Sequence, residues 1–303
     1  MRDLTGYGLQ RPTITWPNGA KVALSLVVNY EEGAEAAIGD DSGAHETRGE
    51  LASDVPLSMP DLAIEQMFNY GTRAGLPRLL ELFSRHRMPT TFFMCGRAAE
   101  RTPELARKVA ELGHEIACHG YRWISYAEVT ALEEKADLER AVEALTAVTG
   151  VRPLGFYSRW GASTRTRENL LKLGFVYDSN SYDDDLPFYD FSHGAPVLIV
   201  PYALDTNDYK FFSGDPWGTA NAFLDYLKTA LDVLLEEGDR GQTSSILNVG
   251  LHLRIIGRPA RFAGLSKFVQ HVASLGDRVW VARRIDIARH WLATCPPTQA
   301  RHS

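Results

Sequence analysis

Cysteine is scarce in this sequence, and two other marks of specialised proteins are missing. Three of the 303 residues are cysteine (Cys95, Cys118 and Cys295), and none has the C-x-x-C spacing of a thiolate zinc site. No apolar run approaches the roughly 18 residues of a transmembrane helix, and the charged N-terminus lacks the apolar core of a secretory signal. We therefore expect a soluble, cytoplasmic protein without a disulfide framework and without a membrane partner.

The charge balance excludes a further class of partner. The net charge is −6, so a broad basic face for nucleic acid is not expected. Apolar residues make up 45% of the chain and charged residues 23%, which is the composition of a globular protein. Because no linker and no change in composition divides the chain, we predict a single domain over residues 1–303.

Short apolar runs alternate with helical segments along the chain. Strands are predicted at 22–28, 90–94, 115–118, 154–157, 175–177, 197–200, 245–251 and 279–282, and helices at 76–85, 103–112, 132–148, 164–173, 220–236, 261–274 and 285–293. This alternation predicts an α/β fold with parallel strands and outer helices. Around seven such units, with no G-x-G-x-x-G turn after the first strand, favour a barrel over an open sheet.

One segment falls outside this alternation. Residues 39–60 are polar and irregular, and they are too many for a simple strand-to-helix loop. The segment is interpreted either as a lid-like excursion or as an arm that contacts another subunit.

Polar side chains follow six of the predicted strands, at the end where a parallel barrel places its chemistry. Taken alone, each has an ordinary structural explanation: a solvated carboxylate, a core histidine, a turn aspartate, or an ion pair between Arg159 and the acidic run 183–185. Together they predict a hydrolytic site at one mouth of the barrel. The side chains in question are Asn29, Tyr30, Glu31, Glu32, His119, Tyr121, Trp123, Arg159, Trp160, Asp178, Asp205, Asn207, Asp208, His252 and Arg254.

The order of these motifs resembles the polysaccharide deacetylase superfamily, whose fold is a single distorted (β/α) barrel. Residues 29–33 (Asn-Tyr-Glu-Glu-Gly) match the Thr-Phe-Asp-Asp-Gly strand end of that family, and 250–252 (Gly-Leu-His) match its late Leu-x-His. The His-Ser/Thr-x-x-His metal motif corresponds to 119–123, where Trp123 stands in place of the second histidine. The usual metal triad therefore keeps at most Glu32 and His119.

A closer resemblance covers nearly the whole chain. It is to the branch that holds the allantoinases of this fold and the bacterial cyclic imide hydrolases, which commonly form homotetramers. The matching stretches are 4–8 with 16–17, 29–33, 70–75, 119–123, 177–179, 182–187, 204–208 and 250–261. After the middle strand, residues 157–161 (Tyr-Ser-Arg-Trp-Gly) differ from the allantoinase pattern Tyr-Thr-Gly-Arg-Thr-Gly.

The resemblance implies hydrolysis of a C–N bond inside a small ring such as a cyclic imide, a hydantoin or allantoin. It implies that Glu31 is the general base and His252 the acid, tuned by Asp205 or Asp208. We expect the neighbouring Glu32 carboxylate and burial to raise the pKa of Glu31. His119, Arg159 or backbone N–H groups would hold the oxyanion. Tyr30, Glu32 and the aromatic side chains Tyr121, Trp123, Phe156 and Trp160 would contact the ring.

No cofactor is firmly implied. A single divalent metal such as zinc remains an option, held by Glu32 and His119 with waters or His252. The expected partners are a small-molecule substrate and further copies of the chain, in a homotetramer. Two alternatives stay open at this point: a metal-dependent N-deacetylase of an acetylated amino sugar, and a catalytically silent barrel that binds a small ligand.

Overall fold

The computed structural model describes residues 3–40, 42–50, 52–212, 218–241 and 243–297. Helices and strands alternate along these residues. The strands are β1 (Val22–Tyr30), β2 (Thr91–Met94), β3 (Glu115–Cys118), β4 (Gly155–Phe156), β5 (Tyr177–Asp178), β6 (Phe188–Asp190), β7 (Val197–Ile199), β8 (Ile246–His252) and β9 (Val279–Val281). The helices are α1 (Leu62–Tyr70), α2 (Leu76–His86), α3 (Gly96–Arg101), α4 (Pro103–Glu111), α5 (Ala131–Thr149), α6 (Thr166–Lys172), α7 (Ala220–Asp239), α8 (Leu253–Ile256), α9 (Pro259–Ser274) and α10 (Arg284–Thr294).

The strands form one sheet in the order β6-β7-β5-β4-β3-β2-β1-β8, with β9 paired to the start of β1. All pairs are parallel except β6–β7. The sheet curls, and the segment after β7 approaches β8 through a bridge between Asn207 and Gly250. The predicted α/β fold with a distorted barrel is confirmed, and the structure adds that the barrel is incompletely closed.

Two apolar layers pack against the sheet. The larger lies between the sheet and its helices and includes Val28 and Phe92. The smaller fills the concave side and includes Phe93 and Trp291. Because side chains alternate between the faces of a strand, neighbouring residues such as Phe92 and Phe93 belong to different layers.

The structure contains elements that the sequence did not predict. Residues 62–75 form α1 and a π-helical turn, Gly71–Gly75, which leads into α2. Helix α3 and strand β6 are also additional. Short elements that mix polar and apolar residues lack the clear periodicity on which such predictions depend.

The π-helical turn lies against the strand ends at close range. A Cβ atom on Gly71 would lie 2.3 Å from Oε1 of Glu32, and one on Gly75 would lie 2.2 Å from the Leu253 carbonyl oxygen. Both distances are below van der Waals contact, so only glycine lets the helix approach this closely. The turn thereby packs the continuous helix of α1, Gly71–Gly75 and α2 directly on the site described below.

The irregular segment 39–60 packs on its own chain. His45 and Glu46 are both 4% exposed, and both ring nitrogens of His45 face backbone carbonyl oxygens, those of Glu46 and Val55. This favours the lid-like interpretation for the described part of the segment. Assembly as a homotetramer stays a prediction, which light scattering on the purified protein tests.

Two further expectations concern the cysteines and the membrane. Cys95, Cys118 and Cys295 are all free thiols in the structure. Among the described residues, no helix is both long enough and apolar enough to cross a bilayer.

Candidate active site

The register of the sheet brings the predicted polar residues together. Tyr30, Met94, Cys118 and Phe156 lie side by side across β1, β2, β3 and β4. The residues that follow three of them are Glu31, His119 and Tyr157, and by alternation these face the concave side of the sheet. On the other side of β1, His252 pairs with Asn29 at the end of β8. One mouth of the barrel therefore collects residues from four strand ends, those of β1, β3, β4 and β8.

Glu31 lies at the centre of this group. Its Oε1 atom is 3.3 Å from Nε2 of His119 and 3.6 Å from Nε2 of His252. Its Oε2 atom is 2.7 Å from Nη1 of Arg254, whose side chain is completely buried. The sequence places Arg254 two residues after His252 and predicts no role for it.

The predicted pKa of Glu31 is wrong in direction. Burial alone would raise the pKa, but Arg254, His252 and His119 stabilise the carboxylate and hold its pKa below the ordinary range. The raised pKa belongs instead to Glu32, at about 7, because burial and the Glu31 charge outweigh Arg254 at 3.5 Å. At neutral pH Glu31 is ionised, and Glu32 is partly protonated.

Asp208 orients His252. Its two carboxylate oxygens accept hydrogen bonds from Nδ1 of His252 (2.6 Å) and from the backbone N–H of His252 (2.8 Å). Burial would lower the pKa of His252, but Asp208 and Glu31 raise it overall. With Nδ1 bound to Asp208, Nε2 is the atom that faces Glu31 and the cavity.

His119 is held in a comparable way by backbone. Its Nδ1 donates to the carbonyl oxygen of Tyr157 at 2.6 Å. Its ring stacks on the Tyr157 ring at 5.4 Å between centroids, with an interplanar angle of 6°. The imidazole is thereby fixed with Nε2 toward Glu31.

A cavity of about 320 Å³ opens beside these groups. Its aromatic wall consists of Trp123, Tyr157, Trp160 and Tyr209. Trp160 is 41% exposed and has a positive φ of 45°, a conformation that is strained for a bulky side chain. The edge of Trp160 meets Tyr209 at a centroid distance of 5.5 Å. The wall suits a small, flat ring.

Residues of the segment 39–60 cover part of this wall. Both Nη atoms of Arg159 bind the Glu46 carboxylate, at 2.8 and 3.0 Å, and Nη1 also donates to the Trp123 carbonyl oxygen. The Arg159 guanidinium lies 3.7 Å from the Trp123 ring centroid, and that of Arg48 lies 3.9 Å from the Trp160 centroid. Arg159 therefore anchors the segment through Glu46, and it does not pair with the acidic run 183–185.

Several predicted contact residues lie outside the cavity. Tyr30 bonds Thr102, and Tyr121 bonds Glu100. Glu32 lies behind Glu31, next to Gly71. Asp205 is exposed and accepts a hydrogen bond from Tyr226 beside a different hollow, so of the two predicted aspartates only Asp208 contacts His252. Phe156 stacks on Tyr126 in the helical layer.

The residues present do not fit the family's divalent metal site. Trp123 offers no metal ligand, and the guanidinium of Arg254 lies against Oε2 of Glu31 and near Oε1 of Glu32. A fixed cation already balances the carboxylates on which a divalent ion would depend. No group of three or more metal-binding side chains with suitable placement occurs within the described ranges.

Sequence reasoning gave no role to four contributors: Arg254, Glu46, Tyr209 and Lys210. Arg254 had a signal, because it follows His252 by two residues at the strand end. Glu46 had none, since it reaches the site from an irregular segment. Lys210 and Tyr209 line the cavity from a short helical turn, Asp208–Phe211, directly after Asp208.

Known proteins share the sequence and the fold of this chain to different degrees. The polysaccharide deacetylase family matches residues 58–177. A Schizosaccharomyces pombe protein whose name places it among the polysaccharide deacetylases is 36% identical, and the alignment covers 97% of this chain and 98% of that protein.

Two crystal structures share the fold along nearly the whole chain. One is of a Pseudomonas aeruginosa protein described as a probable polysaccharide deacetylase, with 42% identity, 98% of this chain and 99% of that chain covered, and a TM-score of 0.92. The other is of PuuE allantoinase, with 42% identity, the same coverage of both chains, and a TM-score of 0.93.

Proposed function

This chain belongs to the polysaccharide deacetylase family, and from that premise we propose that it is a hydrolase that opens a C–N bond in a small cyclic amide: a cyclic imide, a hydantoin or allantoin. The observation that carries the proposal is Arg254, a buried cation against Glu31 where the family uses a divalent metal. The similarity to PuuE allantoinase supports the same class of substrate.

The ionisation of the two central groups suits acid–base catalysis. Glu31 is ionised at neutral pH, so its Oε1 can accept a proton from water as that water attacks a ring carbonyl. His252, whose pKa is raised, carries a proton on Nε2 that it can deliver to the departing ring nitrogen. The ring C–N bond breaks, a carboxylic acid forms at the attacked carbon, and the nitrogen leaves as an amide N–H.

The charge that develops on the carbonyl oxygen needs a donor. His119 lines the cavity with Nε2 3.3 Å from Oε1 of Glu31. Because its Nδ1 hydrogen is bound to the Tyr157 carbonyl oxygen, Nε2 donates in the imidazolium form, and we assign it this role in that form. Arg159 is engaged by Glu46, and we propose that it positions Trp123 and the segment 39–60 instead. Removal of one oxyanion donor typically costs about 3–4 kcal/mol of transition-state stabilisation.

Ring chemistry favours this assignment over sugar deacetylation. The nitrogen anion of an imide is delocalised over two carbonyl groups, so it leaves more readily than the amine of a sugar acetamide. A site without the usual metal triad is therefore adequate for an imide or a hydantoin. The cavity of about 320 Å³ is also small for an oligosaccharide.

The second candidate is a metal-dependent N-deacetylase of an acetylated amino sugar. The observation in its favour is the name of the yeast relative. It requires a metal site that Arg254 and Trp123 do not provide.

A substrate panel separates the two candidates. Purified protein is incubated with succinimide, hydantoin, dihydrouracil, allantoin and a chitooligosaccharide, each with and without a chelator. We expect opening of at least one ring, at a rate that the chelator does not change. Release of acetate from the chitooligosaccharide, abolished by the chelator and accompanied by no ring opening, would overturn the proposal.

A further inference from the structure

Asn29 is one of the residues that line the cavity, and its side-chain carbonyl oxygen is buried without a hydrogen-bond partner among the described residues. The residue lies on β1 two positions before Glu31, so both side chains are on the same face of the sheet. Asn29 is 1% exposed, and its Oδ1 atom makes no hydrogen bond to any described residue. A buried acceptor without a partner destabilises a folded protein, so its retention calls for an explanation.

The orientation of the amide is fixed by its other end. Nδ2 of Asn29 donates to the backbone carbonyl oxygen of Leu251 at 3.1 Å and to the hydroxyl of Tyr202 at 3.2 Å. A carbonyl oxygen can only accept, so a reversed amide would set two acceptors against each other. Oδ1 is therefore the atom left for a ligand.

The polar groups of the cavity match the edge of an imide. Such an edge presents an N–H donor between two carbonyl acceptors. The cavity offers an acceptor in Asn29 and a donor in Nε2 of His252; Nε2 of His119 is a second donor when that ring is protonated, because its Nδ1 hydrogen is bound to Tyr157. A ring whose nitrogen carries a methyl group would leave Oδ1 of Asn29 unpaired and would add bulk beside it.

We propose that Oδ1 of Asn29 accepts a hydrogen bond from a ring N–H of the substrate, so that the site selects cyclic amides with an unsubstituted nitrogen. This inference rests on the proposed function and narrows its substrate class. Asn29 is then a specificity-determining residue, distinct from the groups that move protons.

The first test uses the unaltered protein with succinimide and N-methylsuccinimide. Each kcat/KM is divided by the rate of alkaline hydrolysis of the same ring, which removes the difference in intrinsic reactivity. We expect a preference of at least about tenfold for the N–H ring, since a buried polar group left unpaired costs about that factor or more. Equal normalised rates overturn the inference.

The second test assigns the preference to Asn29. In Asn29→Ala we expect kcat/KM for succinimide to fall about tenfold and the preference for the N–H ring to fall by a similar factor. Tyr202→Phe is the matched control: it removes the other partner of Nδ2, leaves the Leu251 contact and Oδ1 in place, and should keep the preference. A preference that survives Asn29→Ala contradicts the assignment.

A binding measurement covers the case in which Asn29→Ala does not fold. Calorimetry with Glu31→Gln protein compares the affinities for the two rings without turnover, and the N–H ring should bind at least about tenfold more tightly. Equal affinities count against the inference. If the unaltered protein opens neither succinimide, the same comparison is made with the ring of the substrate panel that it does open and the N-methyl derivative of that ring. If it opens no ring of the panel, the proposed function fails and this inference fails with it; if it opens the N–H ring and the N-methyl ring equally, only the inference fails.

Discussion

Two arginines are completely buried among the residues that the structure describes, Arg254 and Arg284, and their surroundings are opposite in kind. Arg284, at the start of α10, donates to neutral acceptors: the Oγ atoms of Ser25 and Ser179, Oδ1 of Asn248, and the carbonyl oxygens of Val200 and Pro201. Arg254 lies 2.7 Å from Oε2 of Glu31, yet its Nε and Nη atoms have no well-aligned hydrogen bond to described residues.

Under the proposed function, the difference separates a cation that supports the fold from one that acts on the active site. Arg284 is held by fixed dipoles, so its contribution is to tie together strands and loops on the concave side of the sheet. Arg254 is held by charge alone, between two carboxylates and over the Phe68 ring at 4.1 Å. A buried arginine beside a carboxylate keeps that carboxylate ionised by lowering its pKa, even where the N–H groups of the arginine make no well-aligned hydrogen bonds.

Glu31→Gln gives the largest effect on the functional cluster. The substitution keeps the size of the side chain and removes the proton acceptor. Because the charge at position 31 is lost, Glu32 remains as the carboxylate that pairs with Arg254. We expect kcat for ring opening to fall by at least about a hundredfold, the lower end of general base catalysis, with folding nearly intact. Steady-state kinetics and circular dichroism measure both. Wild-type kcat in this variant would shift the base assignment to Glu32.

Substitution of each arginine by methionine tests the comparison directly. Arg284→Met leaves several buried acceptors unpaired, so we expect a loss of about 3–5 kcal/mol of unfolding free energy that changes little with pH. Arg254→Met removes the cation that lowers the pKa values of Glu31 and Glu32, so those pKa values rise. As the pH falls, Glu31 and Glu32 become protonated and no longer repel each other. The loss of unfolding free energy in Arg254→Met should therefore be smaller at low pH.

Thermal unfolding at about pH 5 and about pH 8 measures these two variants. The contrast between the two arginines is wrong if Arg254→Met loses the same unfolding free energy at both pH values. It is also wrong if the loss of unfolding free energy in Arg284→Met depends strongly on pH.

Asp208→Asn changes the pH profile. Asp208 raises the pKa of His252, so its removal lowers that pKa and His252 loses its proton at a lower pH. We expect the alkaline limb of kcat/KM to move to lower pH, with a loss of kcat/KM of about tenfold near neutrality. Asp205→Asn, at an exposed aspartate outside the cavity, is the control. An unmoved alkaline limb would remove His252 from the role of acid.

Arg159→Met gives the smallest effect. It releases Glu46 and loosens the segment 39–60 without touching the groups that move protons, so KM should rise about three- to tenfold with kcat little changed. Arg140→Met serves as the control, because Arg140 also covers an aromatic ring, that of Tyr121 at 3.8 Å, but away from the cavity. A drop in kcat with constant KM would instead favour direct contact of Arg159 with the reacting atoms.

The sequence predicted the location of those candidate residues that follow or end a strand. Glu31, His119 and His252 each follow or end an apolar strand, and the parallel register then places them at one mouth. The pKa of Glu31 could not be predicted, because it depends on Arg254, whose direction is set by the short helix α8. The contact between Glu46 and Arg159 joins residues 113 positions apart, and no local pattern reports such a pairing.

The π-helical turn at Gly71–Gly75 limits how this protein can be engineered. Replacing a helical glycine by alanine is a common route to higher thermal stability, because it reduces the freedom of the unfolded chain. At Gly71 the added methyl group would push on the Glu32 carboxylate, and at Gly75 on the backbone of Leu253 beside Arg254. A screen for heat resistance that accepts alanine at these two positions would therefore select against turnover, and stabilising substitutions are better sought in the solvent-facing turns of α5 and α7.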